Sequence, residues 1–212
     1  MSVFQALFLG VLQGATEFLP VSSSGHLVLV PWLLGWPSPG LAFGAVVHWG
    51  TAAAVIVYFW RDWLAIARGV WRSLGGRPVD PSASMRNRKS GGAPAGDAIL
   101  LWLIVVGTVP GVLLGFFLED FFERMFARPV FAAVFLLVTA ALLAASERLG
   151  RRERDLEDLG FLDAVLIGVG QALAIFPGVS RSGSTIATPL ARGMKRQPAA
   201  HFSFLLATPI IL

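Results

Sequence analysis

Residues 6–26, ALFLGVLQGATEFLPVSSSGH, return 158 positions later as residues 164–184, AVLIGVGQALAIFPGVSRSGS. In this register the identical pairs are Ala6/Ala164, Gly10/Gly168, Val11/Val169, Gln13/Gln171, Phe18/Phe176, Val21/Val179, Ser22/Ser180, Ser24/Ser182 and Gly25/Gly183. Two membrane helices that match by accident share Leu, Val and Ala. This pair shares a glutamine, a helical glycine and a Ser-x-Ser-Gly turn, which marks a true repeat. The fold then follows from what lies between the two copies.

That intervening sequence is apolar. Mean hydropathy is +0.70, and 55% of residues are hydrophobic against 14% charged, a balance outside the soluble globular class. The apolar residues come in blocks, with the charges gathered between them. Residues 41–60, LAFGAVVHWGTAAAVIVYFW, carry no formal charge with His48 neutral, and residues 98–118 and 129–146 carry none at all. Each run has about the length needed to cross a ~30 Å hydrocarbon core at ~1.5 Å per residue. A soluble protein would need several core helices without a polar face to account for them. The chain therefore reads as an all-α polytopic membrane protein. The first apolar stretch lacks a basic leader and runs straight into the repeated motif, so it reads as part of the mature fold and not as a signal peptide. Cysteine is absent, which excludes a disulfide framework and thiolate chemistry. The net charge of +4 does not point to nucleic acid, because the basic residues sit between spans, where membrane orientation explains them. Trp32, Trp36, Trp60 and Trp63 fall near predicted span ends, as an interfacial belt requires.

Charge counts give the sidedness. Residues 61–97 hold seven basic residues (Arg61, Arg68, Arg72, Arg77, Arg86, Arg88 and Lys89) against three acids. Residues 119–128 hold Arg124 and Arg128 against Glu119, Asp120 and Glu123, and residues 147–158 bring Arg148, Arg151, Arg152 and Arg154. The positive-inside rule puts the first and third stretches in the cytoplasm and the second outside. Residues 73–97, rich in Gly, Pro and Ser, read as a mobile cytoplasmic loop. Three crossings is an odd number, so the two copies enter from opposite faces. This is an inverted-topology repeat, with repeat 1 over about 1–118 and repeat 2 over about 129–212. In the first copy, residues 4–12 and 27–35 are each too short to cross and flank a break of Pro, Ser and Gly. They read as a re-entrant helix hairpin entering from outside, with WPSPG (36–40) as its external exit. The second re-entrant hairpin spans about 161–191 and returns to the cytoplasmic side at Arg192, Lys195 and Arg196. Irregular backbone at that depth is tolerated only where it is buried in protein or lines a water-filled cavity. The two broken motifs are therefore expected to meet at a site.

Tip to tip, the loops offer Gln13, Glu17, Ser22, Ser23, Ser24 and His26 from one copy and Ser180, Arg181, Ser182 and Ser184 from the other. Ionisable groups inside a membrane mark function by default. Gln13 and Glu17 are four apart, on one helical face. A carboxylate with a neighbouring carboxamide suits a hard divalent ion such as Mg²⁺ that keeps much of its water. Arg181 is permanently charged and forks onto phosphate oxygens, and Ser-x-Ser-Gly turns at helix starts present N–H groups and hydroxyls to anions. Ser23 precedes His26 by three residues, so a nucleophile and its base could be neighbours. Metal, arginine clamp, anion nest, nucleophile and proton carrier together describe phosphoryl hydrolysis. Each residue alone has a plainer reading: His48 as a hydrogen-bonded packing group, the serines and glycines as caps and close-packing positions, Glu17 and Arg181 as a structural salt bridge. The joint presence of Glu17, His26 and Arg181 on paired loops favours a site. A transporter or lipid flippase built on the same inverted repeat is the principal rival, and a non-catalytic scaffold the second.

QGATEFLPVSSSGH (13–26) and PGVSRSGSTI (177–186) resemble the two signature motifs of the undecaprenyl-diphosphate phosphatase family, the bacitracin-resistance integral membrane proteins, and FSFLLATP (202–209) is also similar to that family. The resemblance runs over essentially the whole chain. It implies hydrolysis of the C55 lipid diphosphate to its monophosphate, which recycles the carrier for cell-wall synthesis and confers bacitracin resistance. The implied setting is the bacterial inner membrane, with the site open to the external side. By that carry-over Mg²⁺ or Ca²⁺ assists, Glu17 is the metal-linked acid with Gln13 helping, and Arg181 clamps the diphosphate. Ser23 and His26 are the nucleophile and base candidates, in either order. Ser22, Ser24, Gly25, Ser180, Ser182 and Gly183 line the substrate. The expected partners are the lipid diphosphate and the bilayer, with a homodimer as a further option and no nucleic acid. Members of the family usually continue for two or more helices beyond FSFLLATP, and residues 199–212 are too short to span, so a truncated chain is expected.

Overall fold

The computed structural model describes residues 1–74, 97–126 and 128–211, and most of them are helical. In chain order the helices are α1 (Val3–Phe18), α2 (Ser23–Leu33), α3 (Gly40–Tyr58), α4 (Trp60–Leu74), α5 (Asp97–Phe117), α6 (Glu119–Phe126), α7 (Pro129–Leu149), α8 (Phe161–Leu173), α9 (Arg181–Ala191) and α10 (Arg196–Ile211). A single 3₁₀ turn, Leu156–Asp158, lies between α7 and α8.

Among the described residues three helices are long and apolar enough to cross a membrane: Gly40–Tyr58, Ala98–Phe117 and Pro129–Leu149, of 19, 20 and 21 residues. At ~1.5 Å per residue they measure about 28–32 Å. They fall on the three uncharged runs of the sequence. Large side chains such as Trp49, Val57, Trp102, Phe116 and Leu137 stay exposed along them. Apolar surface on that scale requires lipid around it, as in a membrane protein. The paired helices of the two repeat copies are shorter, at 16 and 11 residues for α1 and α2 and 13 and 11 for α8 and α9. None reaches ~30 Å.

The core sits where α5, α8 and α10 meet. Ile104 of α5, Ile167 of α8, and Phe202, Leu205 and Leu206 of α10 are almost wholly buried there. The backbones of α5 and α8 approach closely because small residues recur every four positions on both, Gly107, Gly111 and Gly115 facing Ala164, Gly168 and Ala172. A Cβ on Gly168 would lie 2.6 Å from the Gly107 carbonyl oxygen, so this crossing needs glycine. The far ends of α8 and α9 are clamped by charge. Asp163 pairs with Arg154 Nη2 at 2.6 Å and with Arg192 Nε, and accepts a hydrogen bond from the Gly160 N–H at 3.0 Å.

The structure departs from the sequence expectation in three places. The first half-helix does not stop at residue 12 but continues through Gly14 to Phe18, so the break shrinks to residues 19–22. Gly14 has open space around it, and one glycine inside a helix costs only about 1 kcal/mol, too little to end it. Residues 60–74, expected within a charged loop, form α4, which buries Ile66 against α5 and carries Arg61, Arg68 and Arg72. Residues 119–126, expected as a loop, form α6. Most of the predicted mobile loop, residues 75–96, lies outside the described residues.

Candidate active site

Both broken motifs fold by the same local chemistry. Ser22 caps α2, its hydroxyl accepting a hydrogen bond from the Gly25 N–H at 3.2 Å. Ser180 caps α9 in the same way, from the Gly183 N–H at 3.0 Å. In each turn the next serine of the Ser-x-Ser pair bonds the cap hydroxyl, Ser24 to Ser22 at 3.1 Å and Ser182 to Ser180 at 3.2 Å. The second turn is anchored from α7, where the Thr139 hydroxyl donates to the Gly178 carbonyl at 3.2 Å and accepts from the Ser180 N–H at 3.0 Å. Gly178 has φ +96, and a Cβ there would run into the Ala132 carbonyl. A Cβ on Gly25 would come within 3.1 Å of Gly178 Cα, so the two turns meet glycine to glycine.

This contact brings Glu17 and Arg181 together across 164 residues of sequence. Glu17 Oε1 accepts from Arg181 Nη2 at 2.6 Å. Glu17 Oε2 accepts from the Ser23 hydroxyl and, at 3.2 Å, from Gln13 Nε2. The Ser182 hydroxyl bridges the two copies by donating to the carbonyls of Glu17 (3.3 Å) and Leu19 (3.1 Å). His48 of α3 adds its Nε2 at 3.2 Å from Glu17 Oε2. A buried carboxylate is thus matched by a guanidinium, an imidazole, an amide and a hydroxyl.

These groups face a cavity of about 550 Å³. Glu17, Ser22, Ser23, Ser24, Ser180, Arg181 and Ser182 line it, as expected of them from the sequence. Gln13, Gly25 and Gly183 act on it through the hydrogen bonds just given. His26 turns to its own helix, with Nδ1 2.7 Å from the Ser22 carbonyl, and the hydroxyl of Ser23 is directed to Glu17. Among the described residues, Arg181 Nη1 is buried without an acceptor. Gln171 Oε1 is likewise buried without a donor, on a side chain whose Nε2 donates to the Gly107 carbonyl at 3.2 Å and which also lines the cavity.

The sequence marks neither Thr51 nor Thr139, and His48 reads there as a hydrogen-bonded packing group. Its Nδ1, 2.6 Å from the Gly44 carbonyl, fits that reading, and the structure adds that His48 lines the cavity and contacts the central carboxylate. The signal is its place as the one residue of that span able to carry a positive charge. Thr51 and Thr139 carry no such mark.

Among the described residues no three His, Cys, Asp or Glu side chains gather into a metal cage. A hard divalent ion does not need one, since Mg²⁺ is commonly held by one or two carboxylates plus substrate phosphate oxygens and water. Glu17, with the Gln13 carboxamide and the serine hydroxyls close by, fits such a shared ion.

Residues 6–212 match the family model described as Bacitracin resistance protein BacA. Similar chains include the undecaprenyl-diphosphatases of Desulforudis audaxviator, 47% identical over 211 residues, Thermomicrobium roseum, 44% over 219, and Marinobacter nauticus, 43% over 212. Each alignment covers 100% of this chain and 74% of the relative. With the family match running through both repeat copies and the site between them, the chain belongs to the bacitracin resistance protein BacA family.

Proposed function

We propose that this chain hydrolyses undecaprenyl diphosphate to undecaprenyl phosphate and inorganic phosphate, as the names of its relatives describe for them. The observation that carries the reading in this molecule is the buried, acceptor-free Nη1 of Arg181 beside the Glu17–Ser23 pair. A guanidinium with one nitrogen committed to a carboxylate and the other unfilled is prepared for a phosphate oxygen.

The residues divide the work as follows. Arg181 Nη1 takes a non-bridging oxygen of the terminal phosphoryl group, and the serine turns at the starts of α2 and α9 surround the rest of the diphosphate. The Ser23 hydroxyl passes its proton to Glu17 Oε2 as its oxygen attacks the terminal phosphorus. The bridging P–O bond breaks, and the bridging oxygen leaves with the lipid monophosphate. Water then cleaves the phosphoserine and restores the hydroxyl. Mg²⁺ or Ca²⁺ held by Glu17 and Gln13 would offset phosphate charge.

The setting belongs to the same proposal. The α1/α2 and α8/α9 pairs are read as re-entrant and inverted about the bilayer midplane, which their sub-spanning lengths and recurring serine cap hydrogen bonds support. Ser38, from the uncharged segment read as the external exit of the first hairpin, and Phe126, from the segment that charge counting puts outside, both line the cavity. That favours access from the external face of the inner membrane. The deciding experiment is phosphate release from undecaprenyl diphosphate by the purified chain in detergent, with and without a chelator. Release that stops in the chelator and returns with Mg²⁺ or Ca²⁺ supports the reading. An intact diphosphate after long incubation with metal would remove it and leave the flippase.

A further inference from the structure

Glu17 is asked to hold Oε2 toward Ser23 while its other oxygen shares Arg181 with the substrate. Once a phosphate draws on the guanidinium, the Oε1 contact weakens and the carboxylate must be held from the Oε2 side. Two helices supply that hold. On α1, Gln13 and Glu17 are four residues apart; on α3, His48 and Thr51 are three apart, and each contacts one of them. Thr51 Oγ1 lies 3.5 Å from Gln13 Nε2, and His48 Nε2 lies 3.2 Å from Glu17 Oε2. His48 is itself fixed, because Nδ1 is 2.6 Å from the Gly44 carbonyl one turn earlier in α3. A carbonyl and a carboxylate can only accept, so Nδ1 and Nε2 each carry a hydrogen, and the imidazolium plane cannot rotate without losing both contacts.

We propose that His48 is a positioning residue for the hydrolysis: its Nε2 fixes the direction of the Glu17 carboxylate toward the Ser23 hydroxyl. This rests on the hydrolase reading of the same site. The imidazole is supplied by the first crossing span, so that span becomes part of the machinery and not merely its wall. A misdirected base slows the chemical step by up to about a hundredfold, while ground-state binding through Arg181 is left nearly alone.

The test compares His48→Gln with His48→Asn. A glutamine amide nitrogen reaches the position of Nε2, whereas an asparagine amide reaches only that of Nδ1. The expected result is a kcat lowered about tenfold or more in His48→Asn, with KM within about threefold of native. His48→Gln should keep kcat within about threefold. A native kcat in His48→Asn, or a His48→Gln as slow as His48→Asn at native melting temperature, overturns the proposal. Should asparagine lower the melting temperature, His48→Gln decides alone, and it must turn over at the native rate. A second readout needs no turnover. The Glu17 carboxylate stretch, isolated as the infrared difference between native and Glu17→Gln, should shift in His48→Asn and stay in place in His48→Gln. Failure of the native chain to release phosphate would strike the hydrolase reading, while an unmoved carboxylate band in His48→Asn would strike this one.

Discussion

Arg181→Lys separates the clamp from the salt bridge. The two terminal nitrogens of this arginine differ: Nη2 donates to Glu17 at 2.6 Å, while Nη1 is buried without an acceptor among the described residues. Lysine keeps the charge but concentrates it on one nitrogen, which can sit against Glu17 or reach a phosphate oxygen without the bidentate fork. The expected loss is one hydrogen bond between charged partners, about 1.5–3 kcal/mol. At about 1.36 kcal/mol per decade, that predicts a kcat/KM lower by roughly ten- to 150-fold. Alanine is the poorer probe. It would leave the buried Glu17 carboxylate without its main counter-charge, a defect of about 3–5 kcal/mol that acts on stability as well as on rate. The assay is the initial rate of phosphate release from a polyprenyl diphosphate in detergent micelles, with melting temperature measured on the same preparation. A folded Arg181→Lys whose kcat/KM stays within about threefold of native would show that the second guanidinium nitrogen has no phosphate to hold, and the clamp would fall.

Three further outcomes are expected. Glu17→Gln should fall to background turnover, and added Mg²⁺ or Ca²⁺ at ordinary concentrations should not restore it, because the variant lacks both the proton acceptor and the metal-linked carboxylate; restoration by metal would contradict that double role. Gly178→Ala should lower the melting temperature by about 3 °C or more, since an L side chain at φ +96 is strained by about 1–2 kcal/mol before its overlap with the Ala132 carbonyl is counted; an unchanged melting curve would mean the second turn is not held as described. A single cysteine at Ser38 should react with an impermeant maleimide in intact cells and be shielded by substrate, while one at Ser90 should react only after the membrane is opened; equal labelling at both positions would overturn the inverted arrangement.

What could be read in advance was whatever the sequence writes locally. Uncharged runs gave the three crossing helices to within a few residues, because bilayer thickness sets their length. The i, i+4 spacing of Gln13 and Glu17 gave a shared face, and the duplicated Ser-x-Ser-Gly gave both caps. The His48 contact could not be read, since it depends on how α1 packs on α3. The same holds for Thr139, which secures a turn 39 residues further on. α4 is hidden in the sequence because its arginines read as topology signals, while Trp63 and Ile66 mark a helix with one buried face.

The ion pair between Glu17 and Arg181 has a consequence for how the protein comes into being. Chains emerge from the ribosome at about 5–20 residues per second, so the 164 residues between the two partners represent roughly 8–33 seconds. Through that interval the carboxylate is already made and its guanidinium does not yet exist. Gln13, Ser23 and His48, the last made 31 residues after Glu17, are the partners its own half of the chain supplies. Until the second half is made, the carboxylate can draw on these three alone among the partners described above.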